Sequence, residues 1–234
     1  MNCPGCATEM THLAFEGRLG TTIEIDLCSV CRAIWFDRFE ELRLAPAATL
    51  KVFGLISEPA GRPTTLFPTA LHCPRCNGRL LLTHDMQRST PFQYWRCDSG
   101  HGRLITFVDF LREKDFVRPL TPQQLEELRQ NIQTINCSNC GAAINLVKDS
   151  VCAHCGSAVS MLDLQQMART VGQLQAAASG RQAADGPPPP AVPRGQSDPS
   201  EIEALVQAFK TAGRTDSPPG LIETGLGLLG RLLR

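Results

Sequence analysis

The sequence predicts a small α+β protein in which three metal-stapled β-hairpins are joined by helices. The chain of 234 residues contains 11 cysteines, and all of them except Cys97 occur as C-x-x-C pairs. Between the paired motifs lie segments with the apolar–polar alternation of strands, and helix start signals follow or separate them. No hairpin of this length buries enough apolar surface to fold alone, so we expect each to need a bound ion.

The first unit, residues 1–45, is predicted to be a four-cysteine zinc ribbon with an exit helix. Its two C-x-x-C pairs are separated by about twenty residues, which is the spacing of such ribbons. The segment 22–27 alternates apolar and polar residues as a strand does, and Asp37 with Glu40 forms a helix-capping pattern. The predicted ligands are Cys3, Cys6, Cys28 and Cys31.

Residues 46–71 are rich in alanine, proline and threonine and are interpreted as a linker. Its apolar patch at 52–56 either packs on a neighbouring ribbon or forms a short interaction strand.

The second unit, residues 72–118, is predicted to be a ribbon in which a histidine replaces one thiolate. The x3 spacing from Cys97 favours His101 as the fourth ligand over His72 and His84. The predicted ligands are Cys73, Cys76, Cys97 and His101.

The third unit, residues 137–160, is a minimal ribbon whose two halves repeat each other. A helix at 119–136 precedes it, opened by Thr121, Pro122 and Gln124 in a capping-box pattern. The predicted ligands are Cys137, Cys140, Cys152 and Cys155. With the other two sets, they use every cysteine of the chain and imply three bound Zn²⁺ ions.

The C-terminal third is predicted to be less compact. A helix at 161–178 has an apolar stripe that either packs on the third ribbon or forms a short coiled-coil seam of a homodimer. A proline-rich segment at 179–200 is predicted to be a disordered spacer. Residues 201–234 form an amphipathic tail, too short and polar to span a bilayer, which we expect to capture a protein partner or to lie on a membrane surface.

The first 45 residues resemble the transcription-factor-IIB-type zinc-ribbon family of bacterial proteins. The resemblance rests on C-P-x-C, a polar hairpin, the strand I-E-I-D, a second C-x-x-C, I-W-F-D and an acidic, leucine-bearing helix; residues 73–101 share it more loosely. It implies a four-cysteine zinc site in the first unit and a link to transcription. The chain departs from the family at Ala7, Arg32 and Ala33, where glycines are usual, so we expect a slightly different knuckle geometry.

Composition limits the functions that remain. The chain carries 23 basic and 23 acidic side chains, and binding of zinc to the thiolates makes it about −5, whereas nucleic-acid-binding proteins are usually basic. Each predicted site is closed by four protein ligands, and no nucleophile motif or phosphate-binding loop is present, which argues against an enzyme. The N-terminus lacks a secretory signal and the cysteine count is odd, so we expect reduced thiols in the cytoplasm.

We therefore expect a zinc-binding, non-catalytic adaptor or scaffold for protein interaction. The alternative is a nucleic-acid-associated factor that uses a basic and aromatic face of the second ribbon. Iron remains the alternative to zinc in any one four-cysteine site. The basic residues of that face are Arg75, Arg79, Arg88, Arg96, Arg103, Arg112, Lys114 and Arg118.

Overall fold

The computed structural model divides the chain into two compact units, Met1–Phe116 and Val117–Arg234, which we call unit 1 and unit 2. The predicted proline-rich spacer lies almost entirely outside the described residues, as does the second part of the predicted linker. The structure describes residues 1–57, 70–87, 90–163, 199–212 and 220–222, together with residues 166, 167, 169, 172, 173, 176, 224 and 225.

Unit 1 is built on one six-stranded antiparallel sheet with the strand order β1-β2-β3-β6-β5-β4. The small α+β class with antiparallel hairpins is therefore confirmed, but the first two predicted ribbons are not separate modules. They join through β3 and β6, whose central pair is Trp35 and Leu104. The strands are β1 (Thr11–Glu16), β2 (Thr22–Cys28), β3 (Ala33–Asp37), β4 (Leu80–Gln87), β5 (Thr90–Cys97) and β6 (Gly102–Thr106).

The two halves of unit 1, residues 1–44 and 71–116, repeat one another about an approximate two-fold axis between β3 and β6. In each half a C-x-x-C turn, here called a knuckle, precedes a hairpin, and a third strand follows. The bridge between Asn2 and Glu9 recurs between His72 and Arg79, which sets the offset between the first knuckles at 70 residues. Each hairpin is consequently an outer edge of the sheet, with β1 at one edge and β4 at the other.

The described residues of unit 1 form three helices: α1 (Glu40–Arg43), α2 (Pro46–Ser57) and α3 (Phe107–Glu113). The first part of the expected linker is thus helical, and its Val52 is fully buried. The ring of Phe53 lies 5.8 Å from that of Phe110 and 4.6 Å from that of Phe116. Because side chains alternate along β3, Phe36 contacts Phe110, while Trp35 packs among the cysteines on the other face.

Unit 2 contains residues 137–160, the predicted third ribbon, and its described residues form two short antiparallel strand pairs. Its strands are β7 (Val117–Pro119), β8 (Thr134–Asn136), β9 (Ala143–Asn145) and β10 (Ser160–Leu162), with β7 paired to β10 and β8 to β9. Helix α4 (Pro122–Asn131) begins with the predicted capping box, since Thr121 Oγ1 accepts from Gln124 N and Gln124 Oε1 accepts from Thr121 N.

The predicted helix at 161–178 starts differently from the expectation, because residues 161 and 162 belong to β10. Asp163 then caps a helical turn by accepting from the backbone of Gln166. Met167 is buried. Leu164, Val171 and Leu174, which the predicted seam of a homodimer requires, lie outside the described residues.

The C-terminal tail packs inside unit 2 over its described part. Helix α5 (Pro199–Ala212) directs Ile202, Leu205, Val206 and Phe209 into the same apolar cluster as the third ribbon. Ile222 N also donates to Ser138 Oγ at 3.3 Å, beside the first knuckle of that ribbon. The apolar face that the sequence assigns to a partner is therefore used within the chain. Among the described helices, none has the length and apolarity needed to cross a membrane.

Candidate metal centres

The structure brings the twelve predicted ligands together in three groups, and within each group the ligand atoms lie within 4.8 Å of one another. His101 joins the second group, whereas His84 lies on exposed β4, His72 bridges Arg79, and His154 is exposed. Site 1 is Cys3, Cys6, Cys28 and Cys31; site 2 is Cys73, Cys76, Cys97 and His101; site 3 is Cys137, Cys140, Cys152 and Cys155.

The distances within these groups fit a tetrahedral ion. Zinc–sulfur bonds of about 2.3 Å place the sulfurs of a tetrahedron about 3.8 Å apart, and a nitrogen ligand shortens its edge to about 3.5 Å. The Sγ–Sγ distances are 3.6 Å for Cys6 and Cys28 and 3.7 Å for Cys76 and Cys97. In site 3 the corresponding distances are 3.6 and 3.7 Å. Cys97 Sγ lies 3.4 Å from Nδ1 of His101.

The first knuckle of sites 1 and 2 and both knuckles of site 3 close with the same backbone turn. The residue that follows the second cysteine donates its N–H to the carbonyl of the first cysteine at 2.8–2.9 Å. Within the knuckles, the amides of Gly5, Cys31 and Arg75 lie 3.3–3.4 Å from the sulfur of the first cysteine. These amides offset negative charge on sulfur.

The residue after every C-x-x-C pair has a left-handed backbone, including the two positions where glycine was expected and is absent. Ala7 and Arg32 both have the positive φ that glycine tolerates, so the left-handed backbone is present there without glycine, while the expected difference from the family's knuckle stays a prediction. Ala33, by contrast, is an ordinary residue of β3. The φ values are 59° for Ala7, 51° for Arg32, 56° for Asn77, 76° for Gly141 and 72° for Gly156.

Each site contains one sulfur that ionises readily. Hydrogen bonds from the thiols of Cys3 and Cys31 lower the pKa of Cys28 to about 2, and one from Cys137 lowers the pKa of Cys155 to about 4. Burial raises the pKa of Cys97, but hydrogen bonds from His101 outweigh it and bring the pKa to about 6. The remaining shifted thiols have raised pKa values, as at Cys3, where donation to Cys28 raises the pKa to about 12. A cation that enters such a site displaces protons, so we expect metal binding to weaken as pH falls.

Site 2 is the most open of the three. Its Cys76 and His101 are exposed, whereas sites 1 and 3 contain only buried and half-buried ligands. Arg75, within its knuckle, donates from Nε to Asp37 Oδ1 at 3.2 Å, and the same carboxylate accepts from Trp35 Nε1 at 2.7 Å. These hydrogen bonds connect the knuckle of site 2 to β3 in the first half of unit 1. No local sequence pattern indicates this contact, although Arg75 lies inside the predicted C-x-x-C motif.

Asn139 also contacts a metal-site cysteine and was not among the residues predicted from the sequence. Its side-chain amide lies 3.9 Å from Cys155 Sγ and donates to Ser157 Oγ at 3.2 Å. Its place between the cysteines of the first knuckle is the signal that could have identified it, since such positions face the neighbouring ligands.

Most basic residues of the proposed nucleic-acid face have carboxylate neighbours. Arg103 is paired with Glu41 and with Glu113 and lies over the Tyr94 ring. Arg112 is buried beside Asp109 at 3.1 Å. Of the same set, Lys114 pairs with Glu113, Arg118 lies 3.9 Å from Asp163 and Arg96 3.8 Å from Asp98, while Arg88 lies outside the described residues.

Comparison of the chain with family models, with curated proteins and with solved structures finds no match. The assignment of the clusters as metal sites therefore rests on their own geometry and donor chemistry.

Proposed function

We propose that this protein is a non-catalytic, zinc-binding adaptor whose three sites hold its two units in shape for protein interaction. The observation that carries the proposal is the closure of each site by four protein ligands. Structural zinc has this four-ligand shell, while catalytic zinc leaves a position for water or substrate.

Zinc is the ion that the donor sets favour. Four sulfurs, or three sulfurs and one imidazole, in a tetrahedral arrangement are typical of structural zinc, and four sulfurs are also typical of iron. The imidazole ligand in site 2 argues for zinc there. The likeness of the first half of unit 1 to transcription-factor-IIB-type ribbons supports the same ion, and its repetition in the second half suggests a tandem pair of such ribbons.

A protein partner is favoured over nucleic acid by charge. The chain is neutral before metal binding, and carboxylates neighbour most of the described basic residues around β5, β6 and α3. Neutralising phosphates would require those ion pairs to be exchanged. Of the tail at 201–234, the part that the structure describes is a candidate contact for a protein or a membrane surface only if it leaves the apolar cluster of unit 2.

The first test is metal content. We expect about three zinc ions per chain after purification without added metal, and little iron. A protein that contains iron in place of zinc, with the visible absorption of iron–thiolate centres, would contradict the assignment.

The second test separates the adaptor from the nucleic-acid alternative. The zinc-loaded protein is titrated with mixed DNA and RNA oligonucleotides over a range of salt, beside a variant in which exposed Arg79 and Arg96 are alanine. We expect no saturable binding to either. Binding that falls steeply with salt and is lost in the variant would overturn the adaptor proposal.

The adaptor function itself is tested with partners captured on the immobilised zinc-loaded chain. Each is purified and titrated by calorimetry, with the chelator-treated chain as control. We expect saturable binding that requires zinc; if no captured protein binds in this way, the proposal fails.

A further inference from the structure

The two edges of the unit 1 sheet differ, although the repeat makes them equivalent positions. At the offset of 70 residues, Thr11, His12 and Glu16 of β1 correspond to Leu81, Leu82 and Met86 of β4. The three β1 residues are polar and exposed. Leu81, Leu82 and Met86 are 39%, 47% and 62% exposed. At these three positions the side chains are apolar on the β4 edge only, which solvation alone does not explain.

The backbone of β4 is also open along this edge. Within the described residues no strand lies beyond β4 in the sheet. Leu80 N donates away from β5, to the carbonyl of Leu71, so the even-numbered residues of β4 point their amides outward. Leu71 closes that end, and the outward residues that follow are Leu82, His84 and Met86. The Met86 amide is held only by the exposed carboxylate of its neighbour Asp85.

We propose that β4 pairs with β4 of a second copy of this chain, antiparallel about a two-fold axis at His84. This register engages all three outward residues, since Leu82 then faces Met86 of the second copy and His84 faces its own equivalent. On the other face Thr83 lies opposite Asp85, the only carboxylate of the strand, so no two carboxylates face each other. The two sheets become one continuous twelve-stranded sheet, joined by an isologous contact.

Self-pairing fits β4 better than β1. The same operation on β1, centred at Ala14, places His12 opposite Glu16 of the second copy and covers little apolar surface. A contact of one strand pair is nevertheless small compared with stable dimer interfaces, so we expect a dissociation constant of about 10–100 µM.

The experiment places opposite charges on the two strands of the contact in the zinc-loaded chain of 234 residues. Association is then measured by sedimentation equilibrium from about 1 to about 500 µM. Wild type is expected to shift from monomer to dimer over this range. Leu82→Lys and Met86→Glu are each expected to remain monomeric, because each places a charge opposite an apolar side chain. Mixed in equal amounts, the two variants are expected to dimerise again. In that pair the introduced lysine of one chain faces the introduced glutamate of the other, and the second contact keeps Met86 against Leu82.

The control on the other edge is Thr11→Lys, at an exposed position next to His12, the equivalent of Leu82, and this variant is expected to dimerise like wild type. Zinc content and circular dichroism establish that each variant is folded. The proposal is overturned if wild type stays monomeric to the highest concentration, or if it dimerises and Leu82→Lys does so equally. Dimerisation lost in both single variants but not restored in the mixture overturns the register.

Discussion

The residue that follows each C-x-x-C turn has a left-handed backbone. This conformation destabilises the fold when the residue is not glycine, and a substitution can remove the strain. Ala7 has a φ of 59°, a conformation that costs a residue with a Cβ about 1–2 kcal/mol. Glycine avoids this cost but loses about 0.4–1 kcal/mol more backbone entropy on folding. We therefore expect Ala7→Gly to raise the free energy of unfolding of zinc-loaded unit 1 by about 0.5–1 kcal/mol in chemical denaturation.

The matched control is Gly156→Ala in site 3. Gly156 has a φ of 72°, and an added Cβ would meet nothing within 4 Å, so the substitution changes backbone strain without a clash. Unit 2 is expected to lose about 1 kcal/mol while unit 1 is unchanged. Equal stability of Ala7→Gly and wild type would show that the knuckle at Ala7 relaxes in solution.

A second prediction at this scale concerns His12 and pH. Its Nδ1 lies 3.0 Å from the buried carboxylate of Asp26, and this hydrogen bond, helped by Glu24, raises the pKa of His12 above 6.5. A raised folded-state pKa stabilises the fold below the unfolded value of 6.5, and this contribution disappears as pH rises through the folded-state pKa. We expect His12→Gln to lower the free energy of unfolding at pH about 6 and to have little effect at pH about 9. An equal loss at both values would show that the charge of His12 is not involved.

Ligand residues could be predicted from the sequence because a C-x-x-C turn is local, so spacing alone brings its two sulfurs to one point. His101 could be predicted as a ligand in the same way, from its spacing to Cys97. The left-handed backbone at Ala7 and Arg32 could not be predicted, because their residue types argue against it. The hydrogen bond from Arg75 to Asp37 joins residues 38 positions apart, so no short sequence motif indicates it.

At the scale of elements, the apolar face of helix α5 packs inside unit 2, whereas the sequence predicts that this face binds a partner. Phe209 is 8% exposed in the cluster that also contains Ile144 and Leu146 of the third ribbon. We expect Phe209→Ala to lower the free energy of unfolding of unit 2 by about 3 kcal/mol, because it leaves a cavity in the cluster. Thermal unfolding of the zinc-loaded protein measures the loss.

The control on the same helix is Glu203→Ala, at an exposed position, which is expected to change stability by less than about 0.5 kcal/mol. If Phe209→Ala has equally little effect, the helix is detached in solution and its apolar face is available to a partner, as the sequence had suggested.

The existence of the helices and hairpins could be predicted from the sequence, but the surfaces that they cover and some of the strand pairings could not. The amphipathic pattern of Ile202, Leu205, Val206 and Phe209 predicts the helix but does not say which surface it covers. Likewise, the hairpins β1–β2 and β4–β5 could be predicted from alternation and turns. The pairing of Trp35 with Leu104 between β3 and β6 could not, because it joins strands about 70 residues apart and depends on burial of both faces.

At the scale of the whole molecule, the metal sites divide between the two units. Ligands of sites 1 and 2, among them Cys28 and Cys97, lie in one apolar cluster with Trp35 and Leu104. Site 3 belongs to the cluster of unit 2. Loss of an ion from site 1 therefore removes support from the sheet that also carries site 2, whereas site 3 has its own core.

This division predicts an unequal response to removal of one site. Because zinc binding in such modules supplies the folding free energy, we expect Cys28→Ser/Cys31→Ser to lower the zinc content from about three to about one ion per chain. The matched change Cys152→Ser/Cys155→Ser is expected to lower it only to about two. Metal analysis after exhaustive dialysis measures both. If the first variant retains two ions, the two halves of unit 1 bind metal independently and the shared sheet does not couple their sites. A further loss from sites 1 and 2 in the second variant would show that unit 1 depends on unit 2.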